Sequence, residues 1–221
     1  MCNNEFLLKN YDSVIMQIQK QNQNFKKDAT LLMVSKQLSK NQIIYMINNR
    51  KQKKFGENRI QDSIRKWSGI KEKNDAISLH LIGKLQTNKI KQAVKLFDVI
   101  ETIDSFALAS QVYEEALKIN KKVQIYLQIN IGNEQHKNGI SLRNFNHTLN
   151  AINQKLMDVS GIMCLPPKGK PAFFYFGLMQ KIARDNKLPT ISMGMSNDFC
   201  TAIKFGATQV RIGSLITQKY T

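Results

Sequence analysis

The apolar run Leu31 to Val34 leads directly into Ser35 and Lys36, which places a primary amine at the end of a strand-like segment. An amine held partly out of water there has a pKa below the free value of about 10.4, and its neutral form attacks an aldehyde to give an imine. Lys36 is therefore a candidate Schiff-base residue. Position alone still favours a plainer reading, one surface lysine among the 27 of the chain.

A second group stands toward the carboxyl terminus. SMGMSND (Ser192 to Asp198) brings Ser196 up to Asn197 and Asp198, where a helix can begin, and QVRIGS (Gln209 to Ser214) closes on Gly213 and Ser214. Amides at a helix start, a hydroxyl and a glycine that admits close backbone approach can together hold a phosphate. Ser196, Gly213 and Ser214 fit that description. Ordinary helix capping and a tight-turn glycine fit them equally.

Other chemistry has less support. His80, His136 and His147 show no paired ligand spacing, so no metal site is expected. Cys2, Cys164 and Cys200 cannot all pair and form no CxxC, which argues against a disulfide framework and for a reducing, cytoplasmic setting. Asn58, Asn88 and Asn130 fall in polar segments that straddle strand ends, as rim donors or acceptors or as turn residues only.

The elements that must position these groups alternate in type. An opening helix, about Asn4 to Asn24, spaces Leu7, Leu8, Tyr11, Val14, Ile15 and Ile18 on one face. Eight strands follow: Thr30 to Lys36, Lys54 to Glu57, Ile77 to Gly83, Phe97 to Ile103, Lys122 to Ile129, Met157 to Cys164, Thr190 to Gly194 and Gln209 to Gly213. Every gap can hold a helix, the clearest being SFALASQVYEEALKIN with Ser105 as its cap, and another spanning Asn197 to Phe205. Eight strand-helix units in 221 residues, with no linker or composition break, predict an α/β fold. The expected form is a single-domain (β/α)8 TIM barrel over residues 1–221 with an extra N-terminal helix. In such a barrel the strand ends with Lys36, Ser196, Gly213 and Ser214 share one face.

With 33 basic and 16 acidic residues the net charge is +17, which on its face suggests a polyanion partner. Only 6 of the basic residues are Arg, and the lysines are spread along the chain, which argues against specific nucleic-acid binding. The longest apolar stretch, AFFYFGLM, is far short of the roughly 20 residues that span a bilayer, and no membrane association is expected. No additional apolar element marks an obligate oligomer, so a monomer is expected.

Taken in order, several strings resemble the pyridoxal phosphate homeostasis proteins, also called YggS-like or PLPBP proteins. They are VSK, FGEN with a following QD, HLIGKLQTNK, the IDS after the fourth strand, NIGNEQHKNG, GIMCLPP, SMGMSND and VRIGS, and they cover nearly the whole chain. The stretch PPKGKPAFFYF (Pro166 to Phe176) departs from the family pattern in being more aromatic and poorer in arginine. The resemblance implies a barrel like the N-terminal domain of alanine racemase. It further implies that Lys36 carries pyridoxal 5′-phosphate (PLP) as an internal aldimine and that Ser196, with the amides of Gly213 and Ser214, holds the phosphate.

By the same likeness Arg211 would face the pyridine nitrogen, Asn58 and Met193 would line the pocket, and Lys137 would match a loop lysine at the surface or at a transfer site. A guanidinium beside the ring disfavours its protonation and weakens the cofactor as an electron sink. The implied role is vitamin B6 homeostasis, storing PLP or delivering it to PLP-dependent apoenzymes without a committed catalytic activity. The alternative is a PLP-dependent amino-acid racemase, which needs a proton acceptor on each face of the substrate. Lys36 supplies one, and the second, β-rich domain that supplies the other in the related racemase is not expected in a chain ending at Thr221.

Overall fold

The computed structural model describes residues 4–155 and 157–218, so Cys2 lies outside the described residues. A long helix, α1 (Glu5–Phe25), precedes eight strands: β1 (Thr30–Val34), β2 (Lys54–Glu57), β3 (Ser78–Leu81), β4 (Val99–Ile103), β5 (Gln124–Ile129), β6 (Val159–Cys164), β7 (Thr190–Ser192) and β8 (Gln209–Ile212). All eight pair in parallel with their sequence neighbours, and β1 pairs with β8 to close the barrel. Each of the eight expected strands is present. Parallel strands clad by helices bury both faces, which is why β4 is buried at every residue and β5 at every residue after Gln124.

The expected ends run long at several strands. β1 stops at Val34, although the Ser35 amide still donates to the Gly56 carbonyl at 3.0 Å before the chain turns at Lys36. β7 stops at Ser192, because Gly194 takes a φ of +88° and reverses the chain. A side chain cannot stand at Gly194: a Cβ there would lie 2.5 Å from the Cβ of Ala202.

Seven helices alternate with the strands: α2 (Lys40–Arg50), α3 (Ile60–Trp67), α4 (Ile90–Leu96), α5 (Phe106–Lys118), α6 (Phe145–Gln154), α7 (Ala172–Asp185) and α8 (Phe199–Lys204). Ser105 caps α5 as expected, accepting from the Leu108 amide at 3.2 Å. After β8 the described chain forms only α9 (Ser214–Thr217), too short to cover a strand. The opening helix takes that place. α1 packs against α2, α8 and α9, burying Leu7, Tyr11, Val14 and Ile18, and Asn10 donates to the carbonyls of Ile216 and Gln218 at 3.3 and 2.9 Å. It is the eighth helix of the ring, supplied from the other end of the chain. Among the described residues no helix is long and apolar enough to cross a membrane.

Candidate functional site

The seven residues expected to line the cofactor pocket, Lys36, Asn58, Met193, Ser196, Arg211, Gly213 and Ser214, stand at or near the carboxyl ends of four consecutive strands, β7, β8, β1 and β2. Lys36 follows β1 and Asn58 follows β2, both with exposed side chains. The exposure of Lys36 corrects one expectation: stopping β1 at Val34 leaves its side chain on the open rim, not partly withdrawn from water. Asn58 presses its carbonyl against the β3 loop, where a Cβ on Gly83 would come within 2.1 Å of that oxygen.

The backbone beneath Lys36 is tightly held. Ser35 is fully buried, and its hydroxyl donates to Glu57 Oε1 at 2.8 Å. The same carboxylate oxygen accepts from Lys66 Nζ at 2.8 Å and from Trp67 Nε1 at 3.2 Å. Lys66 Nζ also donates to the Ser35 carbonyl at 2.8 Å, so the peptide leading into Lys36 is fixed on both sides.

Beside it, β8 ends against β1. A Cβ on Gly213 would lie 3.1 Å from the Cβ of Val34, so the glycine lets the two strand ends close up. The Ser214 hydroxyl donates to the Ser196 hydroxyl at 2.8 Å, which brings the two serines expected to act together into contact across the β7 and β8 loops. The loop around Ser196 is itself tied down, since the Met195 amide donates to Asp198 Oδ1 at 2.6 Å. Met193 is fully buried, with its amide bonded to the Gln209 carbonyl at 3.1 Å.

Arg211 lies inside the barrel and is 4% exposed. Its Nη1 donates to the carbonyl and hydroxyl of Ser192 at 2.6 and 2.8 Å, and its Nη2 to the Cys164 carbonyl at 2.7 Å. Burial pushes the Cys164 thiol up to about 12, against the lowering effect of the Arg211 charge. A buried guanidinium needs a counter-charge. Glu101, from β4, supplies a carboxylate that is wholly buried.

Oε2 of Glu101 accepts from Ser192 Oγ at 2.6 Å, and Oε1 from Gln209 Nε2 at 2.7 Å and from His80 Nδ1 at 2.6 Å. Burial alone would raise the Glu101 pKa, but the His80 hydrogen bond and charge, Arg211 and Ser192 together hold it below the ordinary value. Tyr126 stands edge-on to His80, and its hydroxyl is pushed up to about 12 by burial and by the Glu101 charge.

Sequence reading missed this polar layer and the clamp formed by Glu57 and Lys66. A signal was present in the strands themselves. β3, β4 and β8 each carry one charged or titratable side chain amid mostly apolar residues (His80, Glu101 and Arg211), and alternate strand residues face the barrel interior. Both ring nitrogens of His80 have partners, Glu101 at Nδ1 and Ser78 at Nε2. Asn130 is a turn residue: it accepts from the Glu134 amide at 3.1 Å and donates to the Glu134 carbonyl at 2.8 Å. Lys137 sits in that loop, after β5 on the far side of the barrel from β1, paired with Glu134 at 2.6 Å. A cavity of about 320 Å³ bounded by Tyr113, Lys121 and Met157 opens at the amino ends of β5 and β6 and contains none of these groups.

An amine, paired hydroxyls and a buried guanidinium at the ends of adjacent strands bring together an imine-forming group and donors for an anion. Residues 10–220 match the family model for the alanine racemase N-terminal domain. The chain belongs to that family, among the pyridoxal phosphate homeostasis proteins. It is 34% identical to the pyridoxal phosphate homeostasis protein of Aquifex aeolicus over 74% of this chain and 75% of that one. It is 30% identical to the Escherichia coli K12 protein of the same name over 86% and 85%.

Solved structures of PipY from Synechococcus elongatus PCC7942 superpose on it. The form without PLP gives a TM-score of 0.79 at 29% identity, covering 86% of this chain and 93% of that one. The form with PLP bound gives 0.73 at 28%, covering 91% and 100%. Alanine racemase of Clostridium difficile 630, at 12% identity and a TM-score of 0.68, shares the fold, with 100% of this chain and 57% of that one covered.

Proposed function

We propose that this protein binds PLP reversibly through a Schiff base on Lys36 and serves vitamin B6 homeostasis as a store or carrier of the cofactor. The observation that carries this reading is the convergence of Lys36, Ser196, Arg211, Gly213 and Ser214 on the adjoining ends of β7, β8 and β1. Their chemistry fits each part of the group. Lys36 offers the amine, the Ser196–Ser214 hydroxyl pair with the amides beside it offers donors for a phosphate, and Arg211 offers a donor that cannot surrender its proton to a ring nitrogen. PLP supplies an aldehyde that exchanges reversibly between amines.

Residues of the chain then define the role. Glu57 and Lys66 fix the peptide carrying Lys36 while its side chain stays accessible on the rim, which suits loading and release. Arg211, buried and held by three hydrogen bonds, keeps a protonated ring unfavourable and so works against carbanion chemistry. Asn58 contributes from the rim and Met193 from beneath the β7 loop. The relatives are named for homeostasis, in line with a store or carrier of the cofactor. The proposed role is that of a cytoplasmic monomer acting toward PLP-dependent apoenzymes.

The test is reconstitution with PLP, visible absorbance, borohydride trapping and peptide mapping. The adduct is expected on Lys36 and absent in Lys36→Ala. A map to Lys84, Lys89 or Lys137 moves the site while preserving the class, and no adduct at all ends the proposal. Rapid exchange of the α-proton of single-enantiomer amino acids in deuterated water would instead favour a racemase-like enzyme.

A further inference from the structure

Beneath the rim, one buried chain of hydrogen bonds runs in a single direction, from Arg211 through Ser192 to Glu101. The Ser192 hydroxyl has one proton, which goes to Glu101 Oε2, and its lone pairs accept from Arg211 Nη1 and from Gln209 Nε2 at 2.8 and 3.1 Å. Gln209 spends its second amide hydrogen on Glu101 Oε1. Ser192 and Gln209 both donate to Glu101, and its ionised form, in line with a pKa held below the ordinary value, lets His80 donate as well. That carboxylate is the negative charge linked to the guanidinium of Arg211, one hydroxyl away, in a layer closed to water.

We infer that Glu101 is a positioning residue for the cofactor pocket: through Ser192 and Gln209 it fixes and neutralises Arg211, and so sets the contact that Arg211 makes with the ring nitrogen of a bound pyridoxal ligand. The inference rests on the binding mode proposed above. Replacing the carboxylate by a carboxamide puts an N–H₂ group against donors on at least one side. Where that group faces Ser192, the hydroxyl must turn and Arg211 loses an acceptor; in either orientation Arg211 loses its counter-charge. A residue that only stabilised the barrel would weaken every ligand alike.

The experiment compares PLP with its 1-deaza analogue, in which a CH replaces the ring nitrogen, on wild-type protein, Glu101→Gln and Ser192→Ala, with borohydride mapping of the wild-type adduct. Wild type is expected to hold PLP more tightly than the analogue, and Glu101→Gln to weaken PLP about tenfold while changing the analogue by less than about threefold, the loss of one hydrogen bond to a charged group. Ser192→Ala, which removes the bridge and leaves the carboxylate, is expected to act in the same direction and serves if Glu101→Gln does not fold. Equal losses for both ligands overturn the inference and leave the binding function standing, as does a wild type indifferent to the ring nitrogen. Absence of a Lys36 adduct in wild type overturns the binding reading, and this inference with it.

Discussion

Lys66 donates its ammonium group to the carbonyl of Ser35 at 2.8 Å, fixing the peptide that leads into Lys36 from a helix three elements further along the chain than β1. Glu57 completes the link, since its carboxylate is 1% exposed and accepts from both residues. Glu57→Gln strands the Lys66 charge in a site that is only 15% open to solvent. A loss of about 3 kcal/mol is expected in urea unfolding, because breaking a buried pair leaves one charge uncompensated. Borohydride trapping at Lys36 should slow as well, and a variant with wild-type stability and trapping would show the clamp to be idle.

Ser196 and Ser214 share one hydrogen bond, and the proposed phosphate site places both on the same anion. Each Ser→Ala change is expected to weaken PLP by about tenfold or more, the usual worth of a hydrogen bond to a charged group. The double variant should lose less than the product of the two, since the hydroxyls are coupled. Pyridoxal without its phosphate is the control. Its affinity should not move, and a parallel loss would place the serines away from the phosphate.

Much of this arrangement was legible in the sequence, and the parts that were not have physical reasons. Periodicity located all eight strands, because a parallel barrel buries both faces and so writes apolar runs such as LLMV and GIMC. Lys36, Gly213 and Ser214 could be read because turns advertise themselves through glycine and polar residues. The exposure of Lys36 could not, since it depends on β1 ending two residues early. The pairing of Glu101 with His80, Gln209 and Ser192 was equally hidden, because those residues lie 21, 108 and 91 positions away and only barrel closure brings them together. The pattern of α1 was plain, yet its place in the ring was not, since that follows from the shortness of α9.

Cys164 ends β6 with its thiol buried and its carbonyl bonded to Arg211. A thiol pushed up to about 12 is ionised in about one molecule in ten thousand at pH 8, and only the thiolate reacts with alkylating reagents. Native protein at pH 8 should therefore keep Cys164 unlabelled, with labelling appearing on denaturation. The stability carried by the protonated thiol is full below its unfolded value of about 8.5 and is lost as pH rises toward 12. Mass spectrometry of iodoacetamide-treated native protein decides it, and modification of Cys164 without unfolding would contradict the buried placement.

Since α1 fills the eighth position of the ring, its apolar face belongs to the barrel core and should unfold with it. Leu7 is fully buried and joins the same apolar cluster as Ile216 and Ala202. Leu7→Ala is expected to cost about 3 kcal/mol, the usual penalty for truncating a buried leucine, and to do so in a single cooperative transition. An appended helix would behave differently: it would melt separately, with helical signal lost at low urea while the fluorescence of Trp67, between Phe55 and Glu57 in the barrel wall, remained native. Coincident loss of both signals in the variant and in wild type is the expected result. Two separated transitions would return α1 to the status of an accessory.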